Sequence, residues 1–169
     1  MTNPPRVRVA DYGRLERDDP RLVSVPSTPG RQCRLHWAAA AVVRALMDEW
    51  YDGRRAPLLV CSGWREHRWA SREQYEGTLI SRYGSVERGR VYLAYDSPHE
   101  TGLALDWGSA GLWPDSRMVL AQRATVVFSW LRDHAPPRDL HNYQPEPWHW
   151  EALISREVWD APGPEAPPP

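Results

Sequence analysis

Leu103-Ala104-Leu105-Asp106-Trp107 places the narrowest constraint on what this chain can fold into. Alternation along an extended segment sends Leu103, Leu105 and Trp107 to one face and Ala104 and Asp106 to the other. The leucines and the tryptophan belong in a core. A carboxylate set between Leu105 and Trp107 is badly placed unless something pairs with it, because a buried unpaired charge is costly. Ala104 shares the face of Asp106, and its small side chain leaves room there.

The rest of the chain reads as a mixture of helices and short strands. His36 to Tyr51, HWAAAAVVRALMDEWY, has the apolar spacing and alanine content of a helix, with Asp52 and Gly53 at its end. Leu58-Leu59-Val60-Cys61-Ser62 has strand length and is closed by Gly63. A second helix is expected within Glu66–Tyr83, stopped at Gly84. Val91–Tyr95 reads as a short strand or an extended lead-in. A third helix is expected from about Arg117 to His134, capped near Ser116 and ended by Pro136-Pro137. Glu146–Leu153 begins extended, since residues before proline avoid the helical region. Without strict strand–helix alternation, the expectation is an α+β fold: a small, mostly antiparallel sheet packed with about three helices. Residues 1–34 read as an arm laid over the surface, 35–160 as the domain proper, and 161–169 as a disordered Pro-rich tail.

Several function classes fall away. The formal net charge is -1, which lacks the basic surplus of a general nucleic-acid binder. No apolar stretch is long enough to span a bilayer. Met1 to Gly30 carries Arg, Asp and Pro throughout, unlike an ordinary signal peptide. Cys33 and Cys61 are the only cysteines, too few for a thiolate metal cage; they could form one disulfide, but two buried free thiols are expected.

Among six histidines, two have carboxylates at useful spacing. His99 precedes Asp106 by seven residues, with Gly102 between them to let the chain turn. His149 follows Glu146 by three. Two imidazoles and a carboxylate suffice to hold a catalytic zinc with one position open, and a carboxylate off the metal could then take a proton from water. An ideal strand would point Glu146 and His149 to opposite faces, so a bend must bring them together. His36, His67, His134 and His141 read as structural or surface residues.

Ser97-Pro98-His99-Glu100-Thr101-Gly102-Leu103-Ala104-Leu105-Asp106 resembles the S-x-H-x-x-G-x-A-x-D signature of the VanY-type D-alanyl-D-alanine carboxypeptidases, of the hedgehog-like zinc peptidase superfamily. Glu146-Pro147-Trp148-His149-Trp150 resembles that family's E-P-W-H-W signature. Ser62-Gly63-Trp64-Arg65 is similar to its S-G-Y-R, with Trp64 in the usual tyrosine position. The resemblance spans roughly residues 58–153 and lapses between Glu66 and Arg90, the segment that would shape the substrate groove. It implies a zinc peptidase domain holding one Zn2+ through His99, Asp106 and His149. Glu146 would be the general base and Arg65 would stabilise the oxyanion and hold substrate. Ser97, Tyr143 and Trp148 are further candidate substrate contacts. The expected partner is a peptidoglycan stem peptide, met by a monomer.

The expected reaction is D-alanyl-D-alanine carboxypeptidase cleavage. One alternative is an L-alanyl-D-glutamate endolysin, or an injected effector with the same site. Another is a non-catalytic, zinc-stabilised module that binds cell wall. With no signal peptide expected, the chain would be made in the cytoplasm and reach the wall after lysis or by specialised delivery.

Overall fold

A computed structural model describes residues 5–54 and 56–164. The expected disordered tail is described only as far as residue 164, and its remainder lies outside the described residues. In chain order the elements are helix Val9–Tyr12 (α1), strands Leu22–Ser24 (β1) and Arg34–His36 (β2), and helix Trp37–Arg54 (α2). Strand Val60–Ser62 (β3) and helices Arg72–Tyr83 (α3) and Val86–Gly89 (α4) follow. Strand Ala104–Trp107 (β4) precedes helices Val119–Arg123 (α5) and Val126–His134 (α6). Strands Leu140–Asn142 (β5) and His149–Ala152 (β6) and helix Arg156–Asp160 (α7) complete the fold. The main sheet runs β3-β4-β6-β5, every neighbour antiparallel, while β1 and β2 form a separate antiparallel pair. This is the α+β class that the sequence predicts. No described helix is long and apolar enough to cross a membrane.

The three longest helices fall where helices are expected, with shifted limits. The α2 helix buries Ala39, Ala40, Val43, Leu46, Met47 and Trp50, which recur at helical spacing along one face. It runs through Gly53, whose surroundings are open, to Arg54. The α3 helix begins only at Arg72, because the Ser71 side chain accepts the Gln74 N–H as its cap. Gly84 closes it in the left-handed conformation at φ 85°. Residues 91–95 form turns and loop rather than a strand.

The single helix expected over 117–134 is broken in two. Thr125 starts α6 afresh by accepting the Phe128 N–H. Buried Gln122 bridges Trp113 from both ends of its amide, fixing the preceding turn in place.

Leu103, Leu105, Trp107 and Trp150 join the main core, each exposed by 1% or less. Each such leucine contributes roughly 1.5–3 kcal/mol by leaving water. Ala104 and Asp106 stand outside that cluster on the other face, as the alternation demands. The N-terminal stretch does more than lie over the surface: Val7, Leu15, Leu22, Val25 and Cys33 all enter the core. Both cysteines are free, Cys33 buried and Cys61 half-buried. Burial pushes the Cys61 thiol up to about 11, with the nearby Asp106 charge adding to the effect.

Candidate metal centre

Strand pairing does most of the positioning. In the β4–β6 ladder Asp106 stands opposite His149 and Ala104 opposite Glu151. Cross-strand partners share a face with Cβ atoms about 4.5–5.5 Å apart. His99 arrives on a 3-10 turn, Pro98–Thr101, that leads straight into β4. The turn ends at Gly102, where φ is 73° and a Cβ would meet the His36 nitrogen at 2.9 Å, so only glycine fits without strain. Gly63 is equally constrained, since a Cβ there would lie 2.4 Å from the Arg34 carbonyl oxygen. Its own carbonyl accepts from His99 Nδ1 at 2.7 Å. A carbonyl can only accept, so His99 carries its proton on Nδ1 and turns the Nε2 lone pair toward Asp106.

His99, Asp106 and His149 are all buried, and one ligand atom from each lies within 4.8 Å of the others. Asp106 Oδ1 is 3.5 Å from His99 Nε2 and 2.9 Å from His149 Nδ1. Tetrahedral ligands about 2.0–2.1 Å from a zinc ion stand roughly 3.3 Å from one another. The two observed distances bracket that spacing, and two imidazole nitrogens with one carboxylate oxygen are a donor set that zinc accepts. The residues fit the ion.

Burial opposes charge throughout the cluster, and the hydrogen bonds decide the outcome. It would raise the Asp106 carboxyl, but the hydrogen bond and charge of the His149 ring hold it well below the usual carboxylate range. Burial keeps His99 below its ordinary value. For His149 burial is again the largest influence, yet its bonds to Asp106 and Glu151 outweigh it and push the ring up to about 9. An imidazole between two acceptors carries a proton on each nitrogen until something else takes one place.

A turn joins Glu146 to His149. The carbonyl of Glu146 accepts the His149 N–H at 3.0 Å, with Pro147 and Trp148 as the central residues. This is the bend that the three-residue spacing requires. The Glu146 carboxyl is raised by burial and by the Asp106 charge, while His149, Arg6 and Arg65 pull the other way. Arg65 comes from the solvent side, its side chain 56% exposed and 3.6 Å from Asp106. Together with Ser97 it lines a groove of about 540 Å³ whose walls include Trp69, Tyr92 and Leu93. Ser97 also donates its backbone N–H to Glu100. Tyr143 meets the His149 ring edge-on at 5.9 Å between centroids. Trp148 is 6% exposed and its carbonyl accepts the Trp107 N–H, so it braces the turn against β4.

Two features were not read from the sequence. Glu151, 3% exposed, accepts from His149 Nε2 at 3.0 Å. A second group, His67, Asp96 and Glu100, also gathers ligand atoms within 4.8 Å. Arg14 already pairs with both of its carboxylates, so a cation is supplied from within the chain. Of the other histidines, His36 bonds the Trp159 carbonyl, and His134 bonds Glu49 and stacks on Trp130. Only spacing could have flagged Glu151, which stands at an even interval from His149 and so on the same strand face.

No protein-family model matches the chain, and neither does any curated protein. Solved structures share its fold. The LdcB LD-carboxypeptidase, whose structure addresses peptidoglycan recognition, superposes with a TM-score of 0.63 at 21% identity, covering 82% of this chain and 70% of that one. The vancomycin-resistance D,D-pentapeptidase VanY, in an alanine-substituted form with Zn(II), gives 0.52 at 17% identity over 94% and 89%. VanYB in complex with D-alanine-D-alanine gives 0.50 at 16% identity over 86% and 84%. At these identities the likeness is one of fold.

Proposed function

We propose that this chain is a zinc-dependent peptidase acting on peptidoglycan stem peptides, foremost as a D-alanyl-D-alanine carboxypeptidase. The observation that carries the reading is the convergence of His99 Nε2, Asp106 Oδ1 and His149 Nδ1 at zinc-ligand spacing. The fold likeness to peptidases of peptidoglycan supports it. When bound, the ion would acidify a water molecule and polarise the scissile carbonyl. Glu146 takes the water's proton and returns it to the leaving amine. Its burial-raised carboxyl suits both steps, because a base works best with a pKa near the working pH. Arg65 offers guanidinium donors to the developing oxyanion. Ser97 lines the groove beside Arg65, and Tyr143 flanks His149.

A second reading keeps the chemistry and moves the bond. One protein of the same fold is an LD-carboxypeptidase, and cleavage between an L-residue and D-alanine would use the same residues. A wall-binding module without catalysis would have no use for a carboxylate held beside the cluster.

The deciding experiment is mass spectrometry of zinc-loaded protein incubated with muramyl pentapeptide, tetrapeptide and tripeptide, each with a chelated control. Chelator-sensitive loss of D-alanine from the pentapeptide supports the D,D reading, and loss from the tetrapeptide alone supports the L,D reading. Cleavage between L-alanine and D-glutamate makes the protein an endopeptidase. No product from any substrate, with zinc bound, overturns the enzymatic reading.

A further inference from the structure

The peptidase reading leaves one buried carboxylate beside the cluster without a task. Glu151 lies two residues past His149 on the same face of β6, opposite Ala104. Taking a carboxylate out of water costs several kcal/mol unless its oxygens are satisfied. Three donors satisfy this one. Oε1 accepts from His149 Nε2 at 3.0 Å and from Arg6 Nη2 at 2.9 Å. Oε2 accepts the backbone N–H of Val7 at 2.8 Å.

Two of those donors come from the first described residues of the chain. Val7 is 2% exposed, so its segment is packed rather than draped. The Arg6 guanidinium also lies 3.8 Å from the centre of the Tyr143 ring, the ring that meets His149 edge-on. The arm therefore grips His149 through two neighbours, one by hydrogen bond and one by ring contact. A carboxylate accepts and cannot donate, so Glu151 fixes Nε2 as the N–H nitrogen. Nδ1 then faces Asp106 and His99.

We propose that Glu151, clamped by Arg6 and Val7, is a positioning residue that holds the His149 ring with Nδ1 aimed into the cluster, making the N-terminal arm a working part of the metal centre. The inference rests on the reading of His149 as a metal ligand. Partners of this kind, set behind a ligating histidine, typically change metal affinity by about 10–100-fold when removed.

The test is zinc affinity, from competition with a chromophoric chelator, together with the visible absorption of the Co(II)-substituted protein. Measurements use the full chain and the variants Glu151→Ala, Glu151→Gln and Arg6→Ala. Glu151→Ala should bind zinc about 10–100-fold more weakly and shift the cobalt bands. Glu151→Gln keeps an acceptor oxygen and should recover most of that loss. Arg6→Ala, which leaves every proposed ligand in place and removes a side chain 45% exposed, should weaken binding less while moving the same bands. Wild-type affinity and spectrum in Glu151→Ala overturn the inference and leave the metal reading standing. If Glu151→Ala does not fold, wild-type values in Arg6→Ala overturn it instead. A wild-type chain that binds no zinc overturns the metal reading itself.

Discussion

Raising the pH of the metal-free protein from 6.5 to 9 should remove about 3 kcal/mol of stability, and His149 should account for it. The ring's pKa is lifted from an ordinary 6.5 to about 9, despite burial, by hydrogen bonds to Asp106 and Glu151. At about 1.4 kcal/mol per pH unit, that difference corresponds to about 3 kcal/mol. The folded form binds the proton more tightly than the unfolded chain does. The contribution is thus complete below pH 6.5, declines as pH rises, and is gone once pH passes 9. His36 and His99 are shifted downward, so their influence falls below this window, and the raised Cys61 thiol acts above it. For a domain of this size the change corresponds to a melting temperature lower by roughly 6–12 °C. The assay is calorimetry of chelator-treated protein at half-unit pH steps, alongside His149→Gln and zinc-saturated samples. The variant and the zinc-saturated protein should both show a much flatter profile. A level melting temperature in the metal-free wild type, or the same fall in His149→Gln, refutes the argument.

Three further outcomes are expected. Glu146→Gln should lower turnover of a D-alanine-terminated peptide by about 10²–10⁴-fold with zinc content unchanged, read by product mass spectrometry and elemental analysis. Asp106→Asn should abolish stoichiometric zinc binding in the same elemental analysis, since it removes the anionic ligand between the two histidines. Leu105→Ala should cost about 2–5 kcal/mol in urea unfolding, because Leu105 is fully buried and its loss leaves a cavity.

What could be read from the sequence followed from how local its cause was. The LALDW alternation needs only neighbouring residues, and the structure divides its faces as that pattern requires. The α2 helix announces itself through sixteen residues of consistent spacing and composition, from His36 to Tyr51. Strands β1, β2 and β5 went unread because three residues carry no measurable period, and they lack the apolar lead-in that Leu58 and Leu59 give the equally short β3. The break before α6 depends on one threonine hydroxyl, which propensity over a long window averages away. The site divides in the same manner. His99 and Asp106 sit seven residues apart with a glycine between them, whereas Glu151 meets Arg6 across 145 residues. Glu100 stands beside His99, and nothing nearby in sequence shows that Arg14, 86 residues away, engages it.

The pairing of Asp106 with His149 also restricts how the sheet can be assembled. A shift of one residue between β4 and β6 would set Asp106 opposite Trp150 and turn His149 and Glu151 into the core. A shift of two in one direction would bring Asp106 opposite Glu151, two buried carboxylates face to face, which repel. A shift of two in the other direction would leave Asp106 opposite Pro147, with no proton donor in the facing backbone position. Only the observed alignment gives the buried carboxylate a cationic partner across the ladder. The residues proposed to hold the metal therefore also act as a lock on strand alignment.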